Sequence, residues 1–181
     1  RFHHDNSIVA RYFNKPESKG ISQAAFSINS HYGFQKGTDE GDTITSKNHF
    51  MYGTSVTSRV WFCKNKLALS LRGDVISNGG TYLAFTPSPV TPNAYTDAFA
   101  TDAYKPINIF QATATFDVMP SDHFTVRLEY GYRQSNLPYF AGPGGTTSPS
   151  GWLTGPSTVN PWVPDLQKTE NRFTVALNFR I

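Results

Sequence analysis

The chain is written in a two-residue rhythm. In Phe124-Thr-Val-Arg-Leu-Glu-Tyr-Gly-Tyr-Arg133 every even position is apolar or aromatic and every odd position is small, polar or charged. That period builds a strand with two chemically opposite faces. Six further segments repeat it. Ser7–Asn14 sets Ile8, Ala10 and Tyr12 against Arg11. Ser22–Gln35 sets Ala24, Phe26, Ile28, Tyr32 and Phe34 against Gln23, Ser27, Asn29 and His31. His49–Phe62 sets Phe50, Tyr52, Val56, Val60 and Phe62 against Gly53, Ser55, Thr57 and Arg59. Lys66–Ile76 opposes Leu67, Leu69, Leu71 and Val75 to Ala68, Ser70, Arg72 and Asp74, and Ile109–Val118 opposes Phe110, Ala112, Ala114, Phe116 and Val118 to Gln111, Thr113, Thr115 and Asp117. Arg172–Ile181 closes the series, with Phe173, Val175, Leu177, Phe179 and Ile181 opposite Thr174, Ala176, Asn178 and Arg180. No stretch of comparable length has helical spacing, so the pattern predicts an all-β chain of about seven strands.

The connections sort by length. Asn14–Gly20, Cys63–Lys66 and Met119–His123 are short and built from Pro, Asn, Ser, Asp and Lys, whereas 36–48, 77–106 and 135–169 are long. Strict alternation of short and long predicts an antiparallel up-and-down meander, the layout of a transmembrane β-barrel. The Greek-key crossovers of a soluble β-sandwich, the competing fold, would mix the two kinds. The polar faces carry Ser, Thr, Gln, Asn, Ala and Gly with isolated Arg, not the dense Lys and Glu of a sandwich exterior. Aromatics gather near strand ends of the apolar faces (Phe50, Tyr52, Phe62, Phe124, Tyr132, Phe173, Phe179), as interfacial girdles do.

The expectation is that the apolar face meets lipid, through Phe26, Tyr52, Leu69, Phe116, Leu128, Tyr130, Val175, Leu177 and Phe179 among others. The polar face then lines a wet interior with Arg11, Arg59, Arg72, Asp74, Asp117, Arg127, Glu129, Arg133, Arg172 and Arg180. Hydrocarbon leaves no backbone group unpaired, so such a wall must close on itself. With tight turns on the periplasmic side and both termini there, an even strand number is required. Seven strands therefore imply at least one more before Ser7, and the chain reads as the C-terminal part of a larger barrel. An eight-stranded barrel is the smaller alternative.

Composition narrows the picture. The 181 residues, 38% hydrophobic and 14% aromatic, suit one domain over 1–181. No run of about 18 apolar residues exists, which excludes a transmembrane helix but not strands of about 9–11 residues. A mean hydropathy of −0.40 fits a wall with one polar face. The net charge of +3 is too mild to suggest nucleic acid. Cys63 is the single cysteine, so no intrachain disulfide or cysteine-based zinc site is available, and its place in a tight turn suggests a small buried or lipidward thiol.

The ends of the chain carry a family likeness. Leu128–Phe140, "LEYGYRQSNLPYF", resembles the penultimate-strand motif of the OmpL-like, type 2 β-barrel porin family, where a strand with Arg-x-Glu runs into Tyr-Arg-x-x-Ser and a downstream Phe. Val9–Gly20, "VARYFNKPESKG", is similar to that family's Ala-Arg and Tyr-Phe strand end and its turn. Three positions depart from the pattern. Asn14-Lys15-Pro16 replaces an acidic turn, Gln134 stands where Asp is common, and the chain ends in Ile181 rather than Phe. The resemblance spans both ends and little of the middle. It implies a porin-like barrel in the outer membrane of a Gram-negative bacterium, surrounded by the lipid bilayer.

On this reading the protein is a passive diffusion channel for small hydrophilic solutes or ions, with no cofactor, no metal and no catalytic residue. The excess of inward Arg predicts mild anion preference; alternatively, Arg127–Glu129 and Arg72–Asp74 only brace the wall. The competing function is a non-conducting structural or interaction barrel that docks envelope proteins through its outer loops, and a homo-oligomer is a further possible partner. Loop aromatics such as Tyr82, Phe85, Tyr95, Phe99, Tyr104, Tyr139, Phe140, Trp152 and Trp162 could enter the lumen, meet partners or pack together. Asp39, Glu40 and Asp42 lack the bidentate Glu of a calcium loop and read as solvated charge. In His3-His4-Asp5 the neighbouring imidazoles point to opposite faces, so no metal site is expected there. No Gly-x-Ser-x-Gly elbow occurs, and His49 falls on the inward side, which disfavours a barrel lipase.

Overall fold

The computed structural model describes residues 1–35, 49–79, 82–83, 106–145 and 165–180. They form nine strands: β1 Phe2–Asn14, β2 Ile21–Gln35, β3 His49–Phe62, β4 Leu67–Gly79, β5 Ile107–Ser121, β6 Phe124–Ser135, β7 Phe140–Ala141, β8 Leu166–Gln167 and β9 Thr169–Phe179. Seven long strands make one antiparallel sheet in the order β1-β2-β3-β4-β5-β6-β9, while β7 and β8 pair separately. Each long strand lies beside its neighbour in sequence, the up-and-down meander that the connection lengths predict. Among the described residues β1 and β9 do not pair, so the sheet has two edges, and no second layer is stacked on it.

Strand ends shift from the sequence expectation where the alternation is silent. β1 begins at Phe2 rather than Ser7, because Phe2↔Phe34 through Asn6↔Ser30 pair along β2 although His4 and Asn6 are polar. β4 runs to Gly79 and β5 starts at Ile107, so residues 77–79 are strand rather than loop. Within 135–169, Ser135 and Thr169 are also strand, and β7 and β8 form a small hairpin-like pair. Register breaks at Tyr12 and Ser22 insert one extra residue each, the β-bulges that bend a strand and increase its twist.

At one end the tight turns are stitched together. The Cys63 amide donates to the Gly20 carbonyl (3.1 Å), Lys64 to Ser18 (2.9 Å), Met119 to Lys66 (2.7 Å) and Arg180 to His123 (2.9 Å). Cys63, Lys64 and Asn65 all have positive φ, a left-handed run that only a tight turn requires. Cys63 is exposed on this turn, which corrects the expectation of a buried thiol and leaves the lipidward alternative untouched. At the opposite end Asn136 ties the segment after β6 to the start of β5: Asn108 donates to Asn136 Oδ1 (2.8 Å) and Asn136 Nδ2 donates to the Pro106 carbonyl (2.9 Å).

Burial is inverted relative to a soluble domain. Leu71 (58%), Val175, Leu177 and Phe179 (74%) are exposed, as are Ile8, Tyr32, Tyr52 and Tyr130. The buried residues include Ser55, Ser70, Ser77, Asn78, Thr113, Thr115 and Asp117 (1%). An apolar face this extensive, left bare, has no place on a water-soluble monomer. Among the described residues no helix is long and apolar enough to cross a membrane, which leaves crossing by strands untouched.

Candidate functional site: the polar face of the sheet

Register, not sequence distance, assembles this face. One row across the sheet reads Arg11–Ala25–Arg59–Ser70–Thr115–Glu129–Thr174. The next row toward the tight turns holds Trp61, Ala68, Asp117, Arg127 and Ala176. Two rows the other way hold Arg72, Thr113, Gly131 and Arg172, then Asp74, Gln111, Arg133 and Glu170.

Asp117 is the centre of the first cluster. Its Oδ2 accepts from Arg59 Nη2 (2.7 Å), its Oδ1 from Arg127 Nε (2.7 Å), and Arg127 Nη2 adds a second bond at 3.0 Å. Arg127 thus grips the carboxylate with two nitrogens, the bidentate geometry guanidinium favours. Arg59 also donates to Ser70 Oγ (3.2 Å) and lies over the Trp61 ring at 4.9 Å. The second cluster repeats the stoichiometry. Glu170 meets Arg133 Nε at 2.8 Å across the strand pair and Arg172 Nη2 at 3.0 Å along its own strand. Each cluster holds two guanidinium groups on one carboxylate. A third pair, Arg72–Asp74 (2.6 Å), is neutral.

Of the ten charged residues expected on this face, nine sit on it within the strands. Arg180 follows β9 and borders a hollow at the tight-turn end lined also by Gln23, Trp61, Thr125 and Asn178. Arg72 and Asp74 pair as expected. Arg127 instead takes Asp117, and Glu129 accepts from Thr115 Oγ1 (2.9 Å), so the expected Arg127–Glu129 brace is replaced by cross-strand partners. Arg11 and Arg180 have no ion pair among the described residues. The nine side chains assigned to the other face (Phe26, Tyr52, Leu69, Phe116, Leu128, Tyr130, Val175, Leu177, Phe179) are all exposed there.

Sequence reasoning missed Glu170, and it weighed His3 and Asp5 and set them aside without joining them to His31. Glu170 precedes the alternating run recognised as the last strand, and the other three become neighbours only once β1 is extended to Phe2. His49 is buried. Above the face, Phe140 is buried and receives Arg133 at 5.5 Å. Burial pushes the Tyr139 phenol above its ordinary range, with Arg133 opposing. Asp39, Glu40, Asp42 and the aromatics Phe85, Tyr95, Phe99, Tyr104, Trp152 and Trp162 lie outside the described residues.

Two comparisons find nothing: no curated protein and no solved structure matches the chain. A third does, since the family model described as "Putative beta-barrel porin-2, OmpL-like" matches residues 6–180.

Proposed function

The chain belongs to the OmpL-like β-barrel porin-2 family, and from that premise we propose that it walls a passive outer-membrane channel for small hydrophilic solutes and ions in a Gram-negative bacterium. The observation that carries this reading is the inverted burial: bare apolar side chains on one face, an ion-paired polar network on the other. Lipid covers the first and water fills the second. Transport then needs no chemical step. It is sieving by the width of the wall, biased by its charge. The unpaired edges of β1 and β9 call for further strands to close the wall.

The bias is toward anions. On the polar face Arg11, Arg59, Arg72, Arg127, Arg133 and Arg172 outnumber Asp5, Asp74, Asp117, Glu129 and Glu170, and Arg180 adds a further positive charge at its tight-turn margin. The two Arg–carboxylate–Arg clusters each retain one positive charge. Positive wall charge lowers the energy of a passing anion and raises that of a cation. Planar-bilayer recording of the full-length protein under a salt gradient tests both levels. Step-like conductance with a reversal potential of anion-selective sign is expected. Absence of conductance would overturn the channel reading in favour of a non-conducting barrel, and a cation-selective sign would overturn the charge argument alone.

A further inference from the structure

We propose that His3, Asp5 and His31 form a divalent-metal site of zinc type at the long-loop end of the polar face. Residues 3 and 5 share a strand face because side chains alternate, and register sets Asp5 directly opposite His31 on β2. His4 points the other way and is hydrogen-bonded to Asn6 (3.1 Å), so the ligands come from two strands rather than from adjacent histidines. His3 Nε2 and His31 Nδ1 lie 2.9 and 2.6 Å from the same atom, Asp5 Oδ1. The three ligand atoms fall within 4.8 Å of one another. Zinc bonds of about 2.0–2.2 Å would draw tetrahedral ligands to roughly 3.3 Å apart, a small adjustment on an exposed wall.

A hydrogen-bond chain bears on which nitrogen of His3 is free. A carbonyl only accepts, so the Tyr82 hydroxyl donates its one hydrogen to the Phe2 carbonyl (2.9 Å). With that hydrogen engaged, His3 Nδ1, 2.9 Å from the hydroxyl oxygen, is the donor to it, and in neutral His3 the Nε2 lone pair then faces a carboxylate oxygen at 2.9 Å. Turning the hydroxyl toward Nδ1 instead would let Nε2–H donate to Asp5 and leave the Phe2 carbonyl without its partner. A cation resolves that conflict; so would a proton, and the experiment separates the two. Donation from Nδ1 to an oxygen is also how metal-binding histidines hold ring and tautomer in place.

The donor set selects the ion. Two imidazoles and one carboxylate suit zinc and its first-row neighbours, with water completing the shell, whereas calcium and magnesium seek oxygen alone. The surroundings are built for Tyr82. It stacks on His3 with ring centres 6.0 Å apart, and a Cβ at Gly33 would overlap its hydroxyl. Arg1 lies over its outer side at 4.3 Å and donates to its carbonyl (3.0 Å). A bound ion would thus clamp β1, β2 and the connection after β4 at one point.

The test uses untagged full-length protein refolded in detergent micelles, titrated with Zn²⁺ against a chromophoric chelator and with Co²⁺ as a spectroscopic probe. One ion per chain is expected. Asp5→Asn and His31→Ala should each weaken binding at least about tenfold, and Tyr82→Phe by about 10–100-fold through the orientation of His3. His4→Ala should leave it unchanged, with the sheet signal in circular dichroism preserved in every variant. No stoichiometric binding, retention of binding in the Asp5 or His31 variant, or an equal loss in His4→Ala would overturn the proposal.

Discussion

On one face of the sheet Leu71 stands 58% exposed, with nothing stacked above it among the described residues; on the other, Asp117 is 1% exposed between two guanidinium groups. Leu71 lies in the middle of β4, and Asp117 sits on β5, which β4 pairs with. In water the first choice is costly and the second is tolerated only with its partners in place. Bare aliphatic surface costs about 25 cal/mol per Å², and a charge sequestered from solvent must be paired and hydrogen-bonded to persist. Together they suit a sheet with solvent on the charged side, as the channel reading has it. The contrast teaches that the sheet has no dry centre of its own, so its stability depends on what each side touches.

The largest expected effect strikes the apolar side. Leu71→Arg should cost about 2–4 kcal/mol of folding stability in bilayers, as lipid-facing arginines near the midplane do. Ser27→Arg, on the polar side of β2 where Val9 and Thr57 lie opposite, should cost under about 1 kcal/mol. Equal costs in urea titrations of vesicle-refolded protein would break the two-face comparison.

A middle-sized effect probes the buried carboxylate. Asp117→Asn leaves Arg59 and Arg127 without their counter-charge. Fully buried pairs lose about 3–5 kcal/mol on such a change. Because both arginines keep some solvent contact, about 2 kcal/mol is expected in the same titration, together with stronger anion preference in the reversal potential. An unchanged reversal potential would mean that ions do not pass this cluster.

Glu170→Gln is the gentlest of the three. Its partners Arg133 and Arg172 are more open, so stability should fall by less than about 1 kcal/mol. The reversal potential should again move in the anion-selective direction, and the shift should shrink at high salt as screening shortens to a few ångströms. A change in stability without a change in selectivity would mark the cluster as bracing only.

Much of this was legible in the chain. The alternation of Phe124–Arg133 and the length-sorted connections give the strand type, the meander and the facing of each side chain, because period two is a local property. Partners are not local. Nothing within ten residues of Asp117 indicates that Arg59, two strand pairings away, will reach it; that follows only from the register of β3, β4 and β5. For Arg127 the nearer acid, Glu129, is the obvious guess and the wrong one. The start of β1 is hidden for a different reason. His3 to Asn6 offer polar groups on both sides, so the rhythm is mute, and backbone pairing with β2 alone defines the strand. The extra residues at Tyr12 and Ser22 likewise leave no mark in composition.

The meander carries an evolutionary corollary. Since each long strand pairs its backbone only with the strands before and after it, copying one hairpin and inserting the copy beside the original would keep the pairing pattern, provided the insertion did not part side chains that reach across a strand, as Arg59 and Asp117 do. A lineage built this way can change the girth of its tube in increments of two strands, while the older strands keep their backbone pattern.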